Sequence, residues 1–162
     1  MFNIGIITAS DKGARGERED VSGKTIAAML AGLGTVKHYI IVPDEKEALS
    51  NQMVLMADEL GIDLILTTGG TGLSSRDVTP DATLSIIDRQ VPGIAEVMRA
   101  RSLEKTNRAM LSRAVAGTRG RTLIINLPGS PKGVQECLEV VLPALEHGLQ
   151  ILRGEASECA RQ

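Results

Sequence analysis

The stretch Leu64-Ile65-Leu66-Thr67-Thr68-Gly69-Gly70-Thr71-Gly72 constrains this chain most. Its apolar part does not alternate with polar residues, so it reads as a strand buried on both faces. Such strands belong to parallel sheets held between helices. Gly69, Gly70 and Gly72 remove Cβ atoms from the turn that follows, so the backbone there can take positive φ and approach a ligand closely. After Arg76-Asp77-Val78, Thr79 can cap a helix and Pro80 suits its first turn. Exposed amides beside a helix start bind anions. Two readings fit these residues: a phosphate-handling loop carrying the carboxylate Asp77, or a tight strand-to-helix connection.

The rest of the chain alternates between strand and helix signals. Residues 2–9 are rich in β-branched side chains and predict a first, central strand. Ser22 then reads as the cap of a helix carrying Ile26, Met29, Leu30 and Leu33. Residues 35–42 form the second strand. Asp44 and Glu47 have capping-box spacing before a helix that ends at Gly61. Helices are expected from Pro80 to about Arg89 and again after Pro92-Gly93, and residues 122–127 form a fourth strand. Val134, Leu138, Val141, Leu145 and Leu149 mark a long last helix, which Pro143 should kink or restart. This alternation predicts an α/β domain with a parallel sheet covered on both faces. A single domain over residues 1–154 and a polar tail over 155–162 are expected. Ligands of such sheets bind beyond the carboxyl ends of the strands, which selects the loops at 9–21, 43–44, 69–79 and 128–133.

Composition narrows the function. Among 162 residues there is one Phe, one Tyr and no Trp, so the core is aliphatic and a base-stacking nucleic-acid surface is disfavoured. A net charge of −2 gives no general attraction to nucleic acid or anionic membrane. Cys137 and Cys159 have neither disulfide-framework nor zinc spacing, and no transmembrane run or signal-peptide pattern is present, so a reducing, cytoplasmic setting is expected.

Asp77 is the residue that asks for chemistry. A carboxylate among phosphate-binding amides is electrostatically wrong unless a shared cation sits between them, and Mg²⁺ binds through one or two carboxylates plus substrate phosphates. From the residues alone, Asp44 reads as a helix cap with a second metal-ligand role open, and Asp81 as a first-turn acid. Ser10 and Asp11 follow strand one and either meet a ligand or make a turn. Ser130 and Lys132 in Pro128-Gly129-Ser130-Pro131-Lys132-Gly133 repeat the pattern of glycine, hydroxyl and helix start, as phosphate donors or as another capped turn. Gly23-Lys24-Thr25 is not a P-loop, because the glycine such a loop needs falls on Arg18. The basic run Arg99, Arg101, Lys105, Arg108, Arg113, Arg119 and Arg121 reads as a solvated face, a guide for an anionic substrate, or a partner for a neighbouring subunit.

These residues resemble the molybdopterin adenylyltransferase family of the MogA/MoaB type, which includes gephyrin G-domain homologues, over essentially the whole chain. The most specific segments are Thr67-Thr68-Gly69-Gly70-Thr71-Gly72 and Arg76-Asp77-Val78-Thr79-Pro80-Asp81-Ala82-Thr83. Val42-Pro43-Asp44-Glu45, Leu111-Ser112-Arg113 and Asn126-Leu127-Pro128-Gly129-Ser130-Pro131-Lys132 support them. The resemblance implies a three-layer α/β/α, Rossmann-like fold with a mostly parallel sheet, and transfer of AMP from Mg-ATP to the terminal phosphate of molybdopterin. By motif matching, the family's two essential acids fall on Asp44 and Asp77, as catalytic residues and Mg²⁺ ligands. The binding set that goes with them is Ser10, Asp11, Gly69, Gly70, Thr71, Gly72, Arg76, Thr79, Gly129, Ser130 and Lys132. A homotrimer (a hexamer in some MoaB-type members) and hand-over to the molybdenum-insertion enzyme are implied too. Lys24 departs from the proline that many members carry there. A paralogue or trimeric scaffold that binds molybdopterin without efficient adenylylation is the alternative.

Overall fold

A computed structural model describes residues 1–156; Cys159 and most of the expected tail lie outside the described residues. Six strands form one sheet: β1 (Phe2–Ala9), β2 (Gly34–Val42), β3 (Leu64–Thr68), β4 (Arg89–Gln90), β5 (Ala116–Arg119) and β6 (Thr122–Leu127), in the order β2-β1-β3-β6-β5-β4. The first four in that order are parallel, whereas β5 and β4 add an antiparallel edge. The helices are α1 (Asp11–Ala14), α2 (Val21–Met29), α3 (Lys46–Val54), α4 (Thr79–Ile86), α5 (Pro92–Leu103) and α6 (Pro131–Arg153).

Alternation along the strands divides the core between the two faces. Ile4, Ile6, Leu64, Leu66, Leu123 and Ile125 pack with α2, α5 and α6. Ile7, Ile65 and Ile124 pack with Leu49 and Met53 of α3 and Ala82 of α4. The three-layer α/β/α architecture is as expected. Its central strands β3 and β6 are buried at every residue.

Several local expectations are corrected. Asp20, not Ser22, caps α2, because its carboxylate reaches the Gly23 N–H. The Ser22 hydroxyl is drawn instead to the Gly129 carbonyl. Asp44 does not cap α3: Glu45 holds that position without a side-chain bond. Thr79 is likewise the first residue of α4 rather than its cap. The chain after Ile86 turns extended at Ile87, and Asp88 and Val91 bond to β5, so the helix expected to reach about Arg89 gives way to an edge strand. The edge was missed because Ala116-Gly117-Thr118-Arg119 carries little apolar signal. A π-helical turn, Leu55–Glu59, follows α3. α6 is continuous through Pro143, so it does not restart there.

Candidate active site

β1 and β3 are neighbours whose connections leave in opposite directions along the sheet, toward β2 and toward β6. The crevice beyond their carboxyl ends is the topological switch point, where ligands of such sheets bind. The loops after β1, β2, β3 and β6 all meet there.

The glycine loop takes the shape its composition allows. Gly69 and Gly70 have φ of 91° and 68°. A Cβ on Gly70 would collide with Thr79 Oγ1 and stand 3.3 Å from Asp44 Oδ1. Thr79 is fully buried, its N–H bonds to the Gly70 carbonyl at 3.2 Å, and its hydroxyl has no hydrogen-bond partner among the described residues. It supports the loop from behind and lines neither of the cavities described below.

The carboxylates are held by backbone. Asp44 Oδ2 accepts the Asp11 N–H at 2.9 Å, and Asp11 Oδ1 returns the bond from the Asp44 N–H at 3.0 Å. Arg76 forks onto Asp11 at 3.0 and 2.8 Å. Asp77 Oδ2 accepts the Ser74 N–H at 2.9 Å. Asp44 and Asp77 therefore each have one oxygen fixed, and among the described residues no donor holds the other. Burial pushes the Asp44 carboxyl up, and the charges of Asp11 and Asp77 add to that, against a bond from Asp11 and the charge of Arg76. The Arg76 fork, with the Asp44 amide, holds Asp11 below the usual carboxylate range.

Among the described residues no cluster of three or more acids, histidines or cysteines forms a complete metal cage. Asp44 and Asp77, which line one cavity and repel each other, fit the other mode, in which one or two carboxylates bind Mg²⁺ that also takes substrate phosphates. A divalent cation would relieve the charge repulsion that adds to the burial of Asp44.

Two cavities flank the glycine loop. One, of about 470 Å³, is lined by Ser10, Asp20, Asp44, Gly69, Gly70, Asp77 and Gly129 among others. The other, of about 420 Å³, is lined by Thr71, Gly72, Ser130 and Lys132, by apolar Ala95, Met98, Leu111 and Ala114, and by Arg99, Lys105 and Arg108. Asp11 and Arg76 line neither and act on Asp44 from outside. Ser10 and Ser130 both cap helices, accepting from Gly13 at 2.9 Å and Gly133 at 3.1 Å, which leaves their O–H groups available to donate.

Sequence reasoning missed Arg113. Its backbone N–H bonds to the Thr71 carbonyl at 2.8 Å. Its guanidinium donates to the Gly72 carbonyl at 3.0 Å, the Asp77 carbonyl at 2.6 Å and both Asp81 oxygens at 3.2 and 2.9 Å. One side chain thus clamps both ends of the loop. The signal was present, since Leu111-Ser112-Arg113 stood out as a motif, but the basic run around it reads locally as solvated surface. Much of that run is engaged: Arg99 bonds the Ala114 carbonyl at 2.8 Å and Arg119 pairs with Asp58 at 2.7 Å. Lys24 pairs with exposed Glu19 at 2.6 Å.

The family model described as "Probable molybdopterin binding domain" matches residues 5–147. A molybdopterin adenylyltransferase of Helicobacter pylori is 44% identical over 156 residues, covering 94% of this chain and 89% of its own length. That of Escherichia coli K12 is 38% identical over 174 residues, covering 98% and 89%. The crystal structure of the molybdopterin biosynthesis enzyme MoaB from Thermus thermophilus superposes with a TM-score of 0.90 at 55% identity, covering 98% of this chain and 100% of that one.

Proposed function

The chain belongs to this molybdopterin-binding domain family, and from that premise we propose that it transfers AMP from ATP to the terminal phosphate of molybdopterin. It is a nucleotidyltransferase of molybdenum cofactor biosynthesis. The observation that carries the reading is the pair of cavities sharing one wall, with acids on one side and cations over apolar surface on the other. Two anionic substrates that must meet end to end need such a pair.

The reaction forms a bond between a molybdopterin phosphate oxygen and the α-phosphorus of ATP and breaks the bond to the β-phosphate, releasing pyrophosphate. Phosphoryl-type transfer needs positioning and charge neutralisation rather than a protein nucleophile. Asp44 and Asp77 would hold Mg²⁺, which when bound neutralises and orients the ATP phosphates. The amides of Gly70–Gly72 cradle phosphate beside them, whereas the Gly69 N–H, expected to join them, is taken by the Leu127 carbonyl. Ser130 and Lys132, with Ser10 at the facing edge, hold the molybdopterin phosphate, and the apolar floor formed by Met98, Leu111 and Ala114 takes the pterin. Residues 1–154 act as one unit, in the cytoplasm and as a homotrimer, which light scattering would register as three chain masses. The product passes to molybdate insertion.

Incubation with molybdopterin, ATP and Mg²⁺ should give adenylylated molybdopterin and pyrophosphate, and a chelator should stop it. ATP binding without adduct would instead support a molybdopterin-binding module.

A further inference from the structure

Asp20 stands where three elements, α2, β1 and β2, meet. It precedes α2, and its Oδ1 accepts the Gly23 N–H at 2.9 Å. Its Oδ2 accepts two hydroxyls, from Thr8 near the end of β1 and from Tyr39 on β2. The first turn of α2 is thereby fixed to the sheet, and that turn carries Ser22. Ser22 is buried, and its hydroxyl donates to the Gly129 carbonyl at 2.7 Å across 107 positions of sequence. The same loop is gripped from the β3 side. Thr68 Oγ1 donates to the Pro128 carbonyl at 2.7 Å, and the Gly69 N–H to the Leu127 carbonyl at 3.3 Å. A Cβ built on Gly129 would lie 3.4 Å from Gly69 Cα, so the two loops close on each other with no side chain between them.

We propose that Asp20 is a positioning residue: with Thr8 and Tyr39 it locks the first turn of α2, and through the Ser22 hydroxyl it sets where the Gly129 loop stands against the Gly69 loop. The proposal rests on the adenylyltransferase reading. Gly129 faces one cavity and Ser130 and Lys132 the other, so this spacing aligns the two substrates. Alignment is a steep variable, since misplacement by about 1 Å can cost on the order of 100-fold in rate. Asp20 lines the acid-bearing cavity, yet both of its oxygens accept protein donors, and its effect on alignment is assigned to the Ser22 bond that it holds in place.

The test is a double-mutant cycle of Asp20→Asn and Ser22→Ala in the adenylylation assay. Each single variant should lose roughly 10- to 100-fold in kcat, with either KM moving far less. The double variant should be no slower than the slower single, because both cut one chain of contacts. A second readout comes from Tyr39, the one tyrosine in a chain without tryptophan. A phenol bonded to a carboxylate loses emission to excited-state proton transfer. Emission should therefore be weak in the wild type and in Ser22→Ala, and brighten in Asp20→Asn. If Asp20→Asn does not fold, Tyr39→Phe with Ser22→Ala carries the same cycle. Losses that multiply in the double variant, or an Asp20→Asn that lowers only the melting temperature at full kcat, would overturn the brace. A wild type that forms no adduct would overturn the functional reading and the kinetic claim with it. Bright wild-type emission unchanged by Asp20→Asn would overturn the brace by itself.

Discussion

Replacing Arg113 by lysine keeps a charge and discards a fork. The guanidinium reaches Gly72, Asp77 and Asp81 together, and an ammonium cannot make that planar set of bonds. Arg113→Lys should lower adenylylation about 10- to 100-fold, the scale for partners that orient ligand-bearing groups, as initial rates would show. Asp44 gives a pH signature. Burial, with the nearby acids, raises its carboxyl, so the site loses its charged form while pH is still above the ordinary carboxylate range. The acid limb of the rate profile should lie there and move to lower pH as Mg²⁺ rises, since proton and metal compete for the same oxygens. A limb indifferent to Mg²⁺ would contradict this. Asp77 stands out in the sequence as a candidate because its charge is out of place among loop amides. Asp44 does not, because Pro43-Asp44 before Glu47 imitates a capping box while its hydrogen-bond partner, Asp11, lies 33 positions away. Arg113 and Asp20 were hidden for the same reason: their bonds join distant segments, and periodicity reads only neighbours.

Among the elements, the glycine loop and α4 form one device. Gly70→Ala places a side chain at φ 68° and drives it into Thr79 Oγ1. The backbone alone costs about 1–2 kcal/mol, so thermal unfolding should shift down and activity should collapse with the displaced Asp44. Wild-type melting in Gly70→Ala would show that the loop is looser than described. The parallel strands and their covering helices could be read from the sequence, since an unbroken apolar run such as Leu64-Ile65-Leu66 has few other homes. Helix starts were misassigned wherever two polar candidates stood close together, as at Asp20 and Ser22. There the winner is fixed by tertiary partners.

At the scale of the whole molecule, one buried amide ties the layers. Asn126 is fully buried on β6 and donates to Thr67 on β3 at 3.0 Å and to Thr83 on α4 at 2.9 Å, while its oxygen accepts the Val115 N–H at 3.2 Å. Asn126→Ala leaves these groups unpaired and should cost about 2–4 kcal/mol in urea unfolding, with substrate KM values little changed in the folded fraction. The same framework delivers the loops after β1, β2, β3 and β6 to one sheet end, and this convergence brings Asp44 and Asp77, from separate loops, to the lining of one cavity. In the proposed reaction Asp44 and Asp77 together place the ATP phosphates for transfer. The decisive measurement is single-turnover formation of adenylylated molybdopterin by the wild type and by Asp77→Asn. The expected result is adduct from the wild type and a loss on the order of 100-fold or more in the variant, the scale for removing a group that stabilises transition-state charge. Adduct formation by Asp77→Asn at the wild-type rate would contradict it.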